Sequence, residues 1–277
     1  MVLESLREGA PVNIKDLVIE PPRKRSGLPF DAKRDITKSD LRAMDGQVKA
    51  DIKDSVFYRS AISVSASLKL LFPNRPLPVD FNDKENFELV KKSFGLGSSD
   101  AFSAKILYPQ VQIGDYGETF RGSLERRLEL VNDRWIKRRQ IAPLDWLANL
   151  KLFNPKGIAD ILADDGFKDY VFEEVQKRRV DQKWYAFGEA AAFSRIILGD
   201  DFDFEISKED WQEMHKRLED SRAGNDWSGF VYRARNMQIL AAEKVRVTPN
   251  EGLVLLMPRP KQDFRAEIPP LPQMRRF

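Results

Sequence analysis

One short apolar phrase recurs along the chain, and its spacing predicts most of the architecture. Residues 68–73 read Leu-Lys-Leu-Leu-Phe-Pro, with a cation at the second position and a helix-breaking proline at the end. Similar phrases begin at Leu68, Ala104, Leu150, Ser194 and Met237, so successive copies start 36, 46, 44 and 43 residues apart. Self-similarity at such a period is typical of stacked supersecondary units. The pattern therefore predicts five copies of one structural module.

A second phrase follows each copy at a nearly fixed distance. Two closely spaced apolar residues come first, as in Phe204 and Ile206, and a large apolar residue follows 16 to 19 positions after the first phrase begins. The large residues are Phe87, Phe120, Phe167, Trp211 and Leu253. The alternative interpretation is a plain helical bundle whose amphipathic segments resemble one another. The coupling of two phrases at a constant separation favours the repeat.

Each module is expected to contain two helices. The first runs into the recurrent phrase and ends at proline or glycine, and the second opens on a capping box, in which a short polar residue and an acid three positions later satisfy free backbone N–H groups. The predicted boxes are Thr37 with Asp40, Asn82 with Glu85, and Ser207 with Asp210. One such module cannot bury its apolar face alone, so neighbours must stack. The sequence predicts an all-α, solenoid-like stack of helix pairs.

The two ends of the chain depart from the repeat. We expect residues 1–36 to form an extended N-terminal arm, residues 37–258 the helical repeat domain, and residues 259–277 a proline-rich extended tail. The last module is ambiguous over residues 245–257, where its register predicts a helix. A Pro-Asn-Glu-Gly turn between two β-rich runs favours a closing β-hairpin instead, and we predict the hairpin.

Composition excludes several kinds of chemistry but does not identify the function. The 277 residues are 42% hydrophobic and 32% charged, with a formal net charge of only +3. The absence of cysteine excludes disulfides, thiolate catalysis and cysteine-ligated metals. The sequence shows neither a signal peptide nor an apolar run of membrane-spanning length, so a cytoplasmic location and no membrane partner are expected.

Catalytic motifs are not apparent in the sequence. The single histidine, His215, stands on a predicted helix without a visible catalytic or metal-ligating neighbour, and we expect it at the surface. The acids between Asp200 and Glu205 miss the spacing of a calcium loop. We therefore predict no catalytic residue, no cofactor and no metal, and expect a protein that is not an enzyme.

The repeat does align one set of charges. Four cations occupy the second position of the phrase, and we call them the cation row: Lys69, Lys105, Lys151 and Arg195. Stacked modules would place the row along one surface, where it could receive an acidic partner or a nucleic-acid backbone. The alternative is that each cation only complements the negative end of its own helix dipole. A second basic cluster, at Arg23, Lys24 and Arg25, suggests a further contact with a phosphate or an acidic partner, or else a solvated loop.

The phrases themselves suggest a group of proteins. Residues 239–245 with residues 253–258, and the copy ending at Pro73, resemble uncharacterised helical-repeat proteins predicted from genomes of uncultured bacteria. That resemblance covers residues 37–258 and implies no activity. The module length also resembles armadillo- and HEAT-like solenoids, by architecture only. We expect a protein-binding or scaffold protein of unknown oligomeric state, with a nucleic-acid or ribonucleoprotein-associated factor and an enzyme of unrecognised type as the alternatives.

Overall fold

The computed structural model describes residues 28–93, 98–111, 113–137, 142–248 and 252–257. Within these residues the chain is mainly helical and carries one small antiparallel sheet. In chain order the α-helices are α1 (Ala32–Asp35), α2 (Lys38–Asp51), α3 (Tyr58–Leu71), α4 (Lys84–Ser93), α5 (Ser98–Leu107), α6 (Glu118–Asn132), α7 (Leu144–Phe153), α8 (Ala159–Leu162), α9 (Asp165–Val180), α10 (Trp184–Leu198), α11 (Lys208–Ala223) and α12 (Trp227–Ala241). Short 3-10 or π-helical turns lie at Ile113–Tyr116, Asp133–Lys137, Pro155–Ile158 and Gly199–Asp201, and the two strands are β1 (Lys244–Thr248) and β2 (Gly252–Leu256).

Five helices carry the recurrent phrase at their C-terminal ends: α3, α5, α7, α10 and α12, which we call the ring helices. Each of them ends three or four residues after its copy of the phrase begins. Each packs against the next ring helix along the chain, and the last, α12, packs against the first, α3. The ring helices therefore form a closed ring.

Like ends of the ring helices lie together. At one end, Lys151 Nζ from the last turn of α7 donates to Ile197 O near the end of α10 at 2.5 Å. At the other end, Ser60 and Ser228, in the first turns of α3 and α12, bring their hydroxyl oxygens within 2.8 Å of each other across the closure. The ring helices are thus parallel. We call the end where they begin the N-terminal mouth and the end where they finish the C-terminal mouth.

The remaining long helices, α2, α4, α6, α9 and α11, are the outer helices, and each packs on a ring helix next to it in the chain. One ion pair recurs in this layer. Arg179, near the end of α9, binds Asp210 in the first turn of α11 with 2.6 Å between Nη2 and Oδ2. Arg222, at the same position of α11, binds Asp40 in the first turn of α2 at 2.8 Å. The second pair links the last outer helix to the first, so the outer layer repeats the closure.

This closure corrects the predicted solenoid-like stack. A repeated phrase predicts which faces of neighbouring modules meet, but it does not contain the rotation between successive modules. An open stack would hold α3 and α12 at opposite ends, whereas here they are in contact. The long concave surface that an open stack offers to partners is therefore absent from the part of the chain that the structure describes.

The predicted helix starts agree with the structure better than the predicted arrangement of the modules does. Two of the three predicted capping boxes form as expected, at Thr37 with Asp40 and at Ser207 with Asp210. The third prediction is wrong by one residue, since α4 begins at Lys84 and Asp83 Oδ1 accepts from the backbone N–H of Glu85 at 2.7 Å. Asn82 instead donates its own backbone N–H to Asp80.

The predicted C-terminal hairpin is confirmed. The strands β1 and β2 pair antiparallel, with Lys244 opposite Leu256 and Thr248 opposite Gly252. They contact α5, α7 and α10 at the C-terminal mouth, and Val245 and Leu253 are buried there. Gly252 has a φ of +70°, and a Cβ at this position would lie 3.1 Å from Lys105 O, so the close approach of the hairpin to α5 requires glycine. The hairpin covers the C-terminal mouth.

Side chains fill much of the ring's interior. Phe102 of α5 meets Phe193 of α10 edge to face, with 6.0 Å between the ring centroids, although these helices are not neighbours in the ring. Buried alanines, such as Ala66 and Ala191, let ring helices approach one another closely. The core is therefore continuous around and across the ring.

The chain before α2 packs on the outside of the ring. Phe30 is buried, and Ala32 N donates to Gln238 Oε1 of α12 at 3.0 Å. The rest of the predicted arm, residues 1–27, and the predicted tail, residues 259–277, lie outside the described residues, so both stay predictions. None of the helices that the structure describes has the length and apolar character needed to cross a bilayer.

Candidate functional site

The structure places all four members of the cation row at the C-terminal mouth. Lys69 Nζ donates to Leu107 O of the next ring helix at 2.8 Å, and Lys151 makes the equivalent bond described above. Arg195 donates from Nη2 to the carbonyl oxygens of Ala242 and Glu243, which lead from α12 into the hairpin. Each of these three cations therefore binds carbonyl oxygens in the last turn of the neighbouring helix or just after it.

Lys105 differs, because its acceptor follows its own helix rather than the neighbouring one. Its Nζ donates to Pro109 O at 2.7 Å and lies 5.5 Å from the centre of the Phe153 ring in the next ring helix. The residue is only 4% exposed. Burial lowers the pKa of Lys69, Lys105, Lys151 and Arg195 below their ordinary values, which shows that water is partly excluded around all four.

These contacts explain why a cation recurs at the second position of the phrase. The last carbonyl groups of a helix lack intrahelical partners and carry the negative end of the dipole, so a cation from the adjacent parallel helix satisfies both. Binding of an acidic partner by the cation row stays a prediction, and such a partner would compete with carbonyl oxygens. The other predicted cluster, Arg23, Lys24 and Arg25, lies outside the described residues.

The N-terminal mouth holds a cavity of about 560 Å³, which we call the lumen cavity. Its walls come from α3, α10 and α12, and α3 and α10 are not neighbours in the ring, so the cavity opens into the ring's interior. It is lined by Val56, Arg59, Ser60, Ser63, Val64, Ser67, Tyr185, Ser228, Gly229, Val231 and Tyr232. Hydroxyl and guanidinium groups thus predominate over aliphatic ones in its lining.

The helical period explains why this wall is polar. Ser60, Ser63 and Ser67 are spaced i, i+3 and i+7 on α3, so they share one face, and that face points into the ring. Ser67 is buried and donates its hydroxyl to Ser63 O at 2.9 Å. Ser228 and Tyr232 are four residues apart on α12 and face the same space. A polar stripe on a helix that closes a ring gives the interior hydrogen-bonding capacity.

A guanidinium group lies directly behind this lining. Arg235 follows Tyr232 by one turn on α12 and is only 1% exposed. Its Cζ lies 4.1 Å from the centre of the Tyr232 ring and 4.6 Å from that of Phe102, on the opposite side of the ring. Nε and Nη2 both donate to Asn236 Oδ1, at 3.3 and 3.1 Å. Among the described residues, no carboxylate forms an ion pair with Arg235.

One acid in this region, Glu189, is held by a tyrosine. Tyr232 donates its hydroxyl to Glu189 Oε1 of α10. Burial raises the pKa of Tyr232 well above its ordinary value, and the neighbouring Glu189 carboxylate adds to the effect against the opposing charge of Arg235. Tyr232 is therefore a permanent donor at neutral pH. The Glu189 carboxylate is directed to this hydroxyl rather than to Arg235.

Sequence reasoning did not identify the residues of the lumen cavity. The signal was present in two forms: a serine stripe at helical spacing in α3, and a charged Arg235 on the helix that carries the last copy of the phrase. Both signals gain meaning only when the ring closes around them. The expectation for His215 is wrong, because that residue is buried between the outer helix and the N-terminal segment, with Nε2 3.1 Å from Leu28 O.

Chemistry based on metals has no visible support in the side chains that the structure describes. No group of three or more histidine, aspartate or glutamate residues within the described ranges is arranged to hold a metal ion. The lumen cavity offers hydroxyl and guanidinium donors, and donors of this kind recognise anions and polar ligands rather than metal ions.

The fold and the site together define a class: a closed ring of parallel helices with an outer helical layer, capped at one mouth by a hairpin and carrying a polar cavity at the other. Comparison of the chain with protein-family models, with curated proteins and with solved structures finds no match to any of them. The resemblance to bacterial helical-repeat proteins therefore stays a prediction.

Proposed function

We propose that this protein is a binding protein whose ligand is a small molecule held in the lumen cavity. The observation that carries the proposal is the cavity itself, about 560 Å³ in volume, lined by four serines, two tyrosines and an arginine. Cavities of roughly 300–1,000 Å³ with a few convergent polar groups are the usual form of small-molecule sites. A closed ring also supports such a site better than it supports an extended partner-binding surface.

The test is to fill the cavity and ask which ligands are lost. Ser63→Phe puts an aromatic ring into the lumen cavity, and Ser39→Phe makes the same change on the exposed face of α2. A panel of polar metabolites is screened by ligand-observed NMR against both variants and the unmodified protein. We expect at least one metabolite to bind the unmodified protein and the Ser39 variant but not the Ser63 variant.

The contrary result is equally clear. If every bound metabolite is retained by the folded Ser63→Phe variant, ligands of this protein bind elsewhere and the proposal is wrong. The same holds if no member of the panel binds.

A protein-binding or scaffold role is the second candidate, and one observation favours it. Val56 and Phe57 are 70% and 56% exposed where the chain enters α3, at the rim of the N-terminal mouth. Exposed apolar residues that adjoin one another are typical of protein contacts. Affinity capture with Val56→Ser/Phe57→Ser beside the unmodified protein tests this role, and a partner recovered equally by both would count against it.

Nucleic-acid binding stays a prediction based on the cation row and residues 23–25. A gel-shift series at increasing salt tests it, because binding to phosphates weakens steeply with ionic strength. The absence of enzymatic activity and a cytoplasmic location likewise stay predictions.

A further inference from the structure

Arg235 is buried, and folded proteins rarely bury a charged side chain without an opposite charge beside it. Its guanidinium group is 1% exposed and is enclosed by the rings of Phe102 and Tyr232. Its hydrogen bonds go to a neutral amide oxygen, Asn236 Oδ1. A buried cation without an ion pair is strongly unfavourable, since its hydration is lost and little replaces it.

Among the residues that the structure describes, no carboxylate pairs directly with Arg235. Glu189 accepts the hydroxyl of Tyr232, and Arg233 on the same helix pairs with Asp226 at 3.5 Å. The wall of the lumen cavity that contains Tyr232 thus has a positive charge directly behind it. On the facing helix α3, Arg59 adds a second guanidinium group to the lining.

One helix end adds to this potential. At the N-terminal mouth α10 begins without a side-chain cap, whereas Asp54 Oδ1 accepts the backbone N–H groups of Val56 and Phe57 just ahead of α3. In the same space Tyr232 and Ser67 already donate to Glu189 and to Ser63 O, and the lining also holds the Ser63 hydroxyl and the Arg59 guanidinium. Cationic and hydroxyl donors that face one cavity select for an acceptor with negative charge.

We propose that the lumen cavity binds its ligand through an oxyanion, a carboxylate or phosphate group, whose charge offsets that of Arg235. This inference rests on the proposed function and adds the chemical class of the ligand. Arg235 acts through the field behind the lining, while Arg59 and Ser63 donate directly. In the ligand-free protein Arg235 is a cost to stability that the bound anion removes.

The experiment compares probes of one shape and different charge. Benzoate, phenyl phosphate and neutral benzamide are titrated against the protein by NMR, and melting temperatures are measured with each. We expect benzoate or phenyl phosphate to bind at least about tenfold more tightly than benzamide, in keeping with the strength of charge-assisted hydrogen bonds. The two anions separate a carboxylate site from a phosphate site.

Two variants assign the preference to Arg235. Arg235→Met should abolish the preference for anions without lowering the melting temperature of the ligand-free protein, because it removes a lone buried charge and keeps an apolar chain. Arg121→Met removes an equal charge from an exposed position on α6 and should leave the preference intact. Retention of the preference by a folded Arg235→Met variant overturns the inference.

The result also separates the inference from the proposed function. If benzamide binds as tightly as benzoate and Ser63→Phe abolishes both, the cavity binds ligands but does not select anions, and only the inference fails. If none of the probes or metabolites depends on the cavity, both fail. Should Arg235→Met not fold, the Ser63→Phe variant decides, since a preference for anions that survives filling of the cavity contradicts the inference.

Discussion

The two mouths of the ring use the same kinds of residue for opposite purposes. At the C-terminal mouth, the cation row donates to backbone carbonyl oxygens, and a hairpin covers the opening. At the N-terminal mouth, Arg235 is buried without an ion pair behind a cavity lined by hydroxyl groups. Cations of both kinds donate to neutral oxygens, but the cation row also lies at the negative ends of helix dipoles, whereas Arg235 lies in the middle of α12 and has no such compensation.

Helix polarity explains the asymmetry. Parallel ring helices collect the negative ends of five dipoles at one mouth and the positive ends at the other. Cations are stabilised at the first mouth, and their number there follows from the repeat. Arg59, in the first turn of α3, is opposed by the dipole of its own helix, whereas Arg235 lies mid-helix, where neither end of the dipole acts, so helix electrostatics accounts for neither cation.

The largest expected effect concerns closure at the N-terminal mouth. The Ser60 and Ser228 hydroxyl oxygens are 2.8 Å apart although the residues are separated by 168 positions, and the chain has no native cysteine. We expect Ser60→Cys/Ser228→Cys to form a disulfide that stabilises the fold by about 4 kcal/mol, because it closes a long loop in the unfolded state.

Mass spectrometry and denaturant unfolding, with and without reductant, measure this effect. The single variants serve as controls, because neither can cross-link within one chain. Failure of the folded double variant to cross-link would show that α3 and α12 do not adjoin.

A smaller effect is expected when the outer layer is opened. Arg222→Ala leaves the Asp40 carboxylate buried without its cation, and we expect the free energy of unfolding to fall by about 3 kcal/mol. Arg179→Ala removes the equivalent pair with Asp210, which joins two outer helices that are consecutive in the chain. We expect it to lower the free energy of unfolding by a similar amount. Urea denaturation measures both, and a loss from Arg222→Ala below about 1 kcal/mol, the value of a surface ion pair, would contradict a buried closure.

The smallest expected effect comes from replacing one cation at each mouth with methionine. Lys151→Met removes the donor to Ile197 O, and we expect the free energy of unfolding to fall by about 1 kcal/mol, the net value of a hydrogen bond. The same change at Arg235 should have no cost or a small gain, for the reason given above. Thermal unfolding of both variants checks the signs, and equal destabilisation would show that the two cations are not distinguished by their acceptors.

Much of the local structure could be predicted from the sequence. The recurrent phrase locates the ends of five helices. The capping boxes at Thr37 and Ser207 and the hairpin after α12 were also predictable, because each depends on residues within a few positions of one another. The error at Asn82 shows the limit of such signals, since Asp83 beside it is as good a cap.

The candidate site could not be predicted in the same way. Lys69 and Arg195 stand at equivalent positions of the phrase, and the sequence correctly aligns them, but it does not show that a neighbouring carbonyl oxygen accepts from each. Nothing in the sequence distinguishes Arg235 from the other arginines. Its significance depends on Phe102, which is 133 positions away and reaches it across the ring.

By itself, the sequence determined the helical modules, their order and the cap that ends them, because these follow from the spacing of apolar, polar and capping residues along short stretches of chain. Only the tertiary structure decided that the modules close on themselves, and with closure came the cavity, the isolated charge of Arg235 and the contrast between the mouths. The physical reason is that closure depends on the rotation between neighbouring modules. That rotation is the sum of many small packing contacts between distant residues, and no single segment of the chain encodes it.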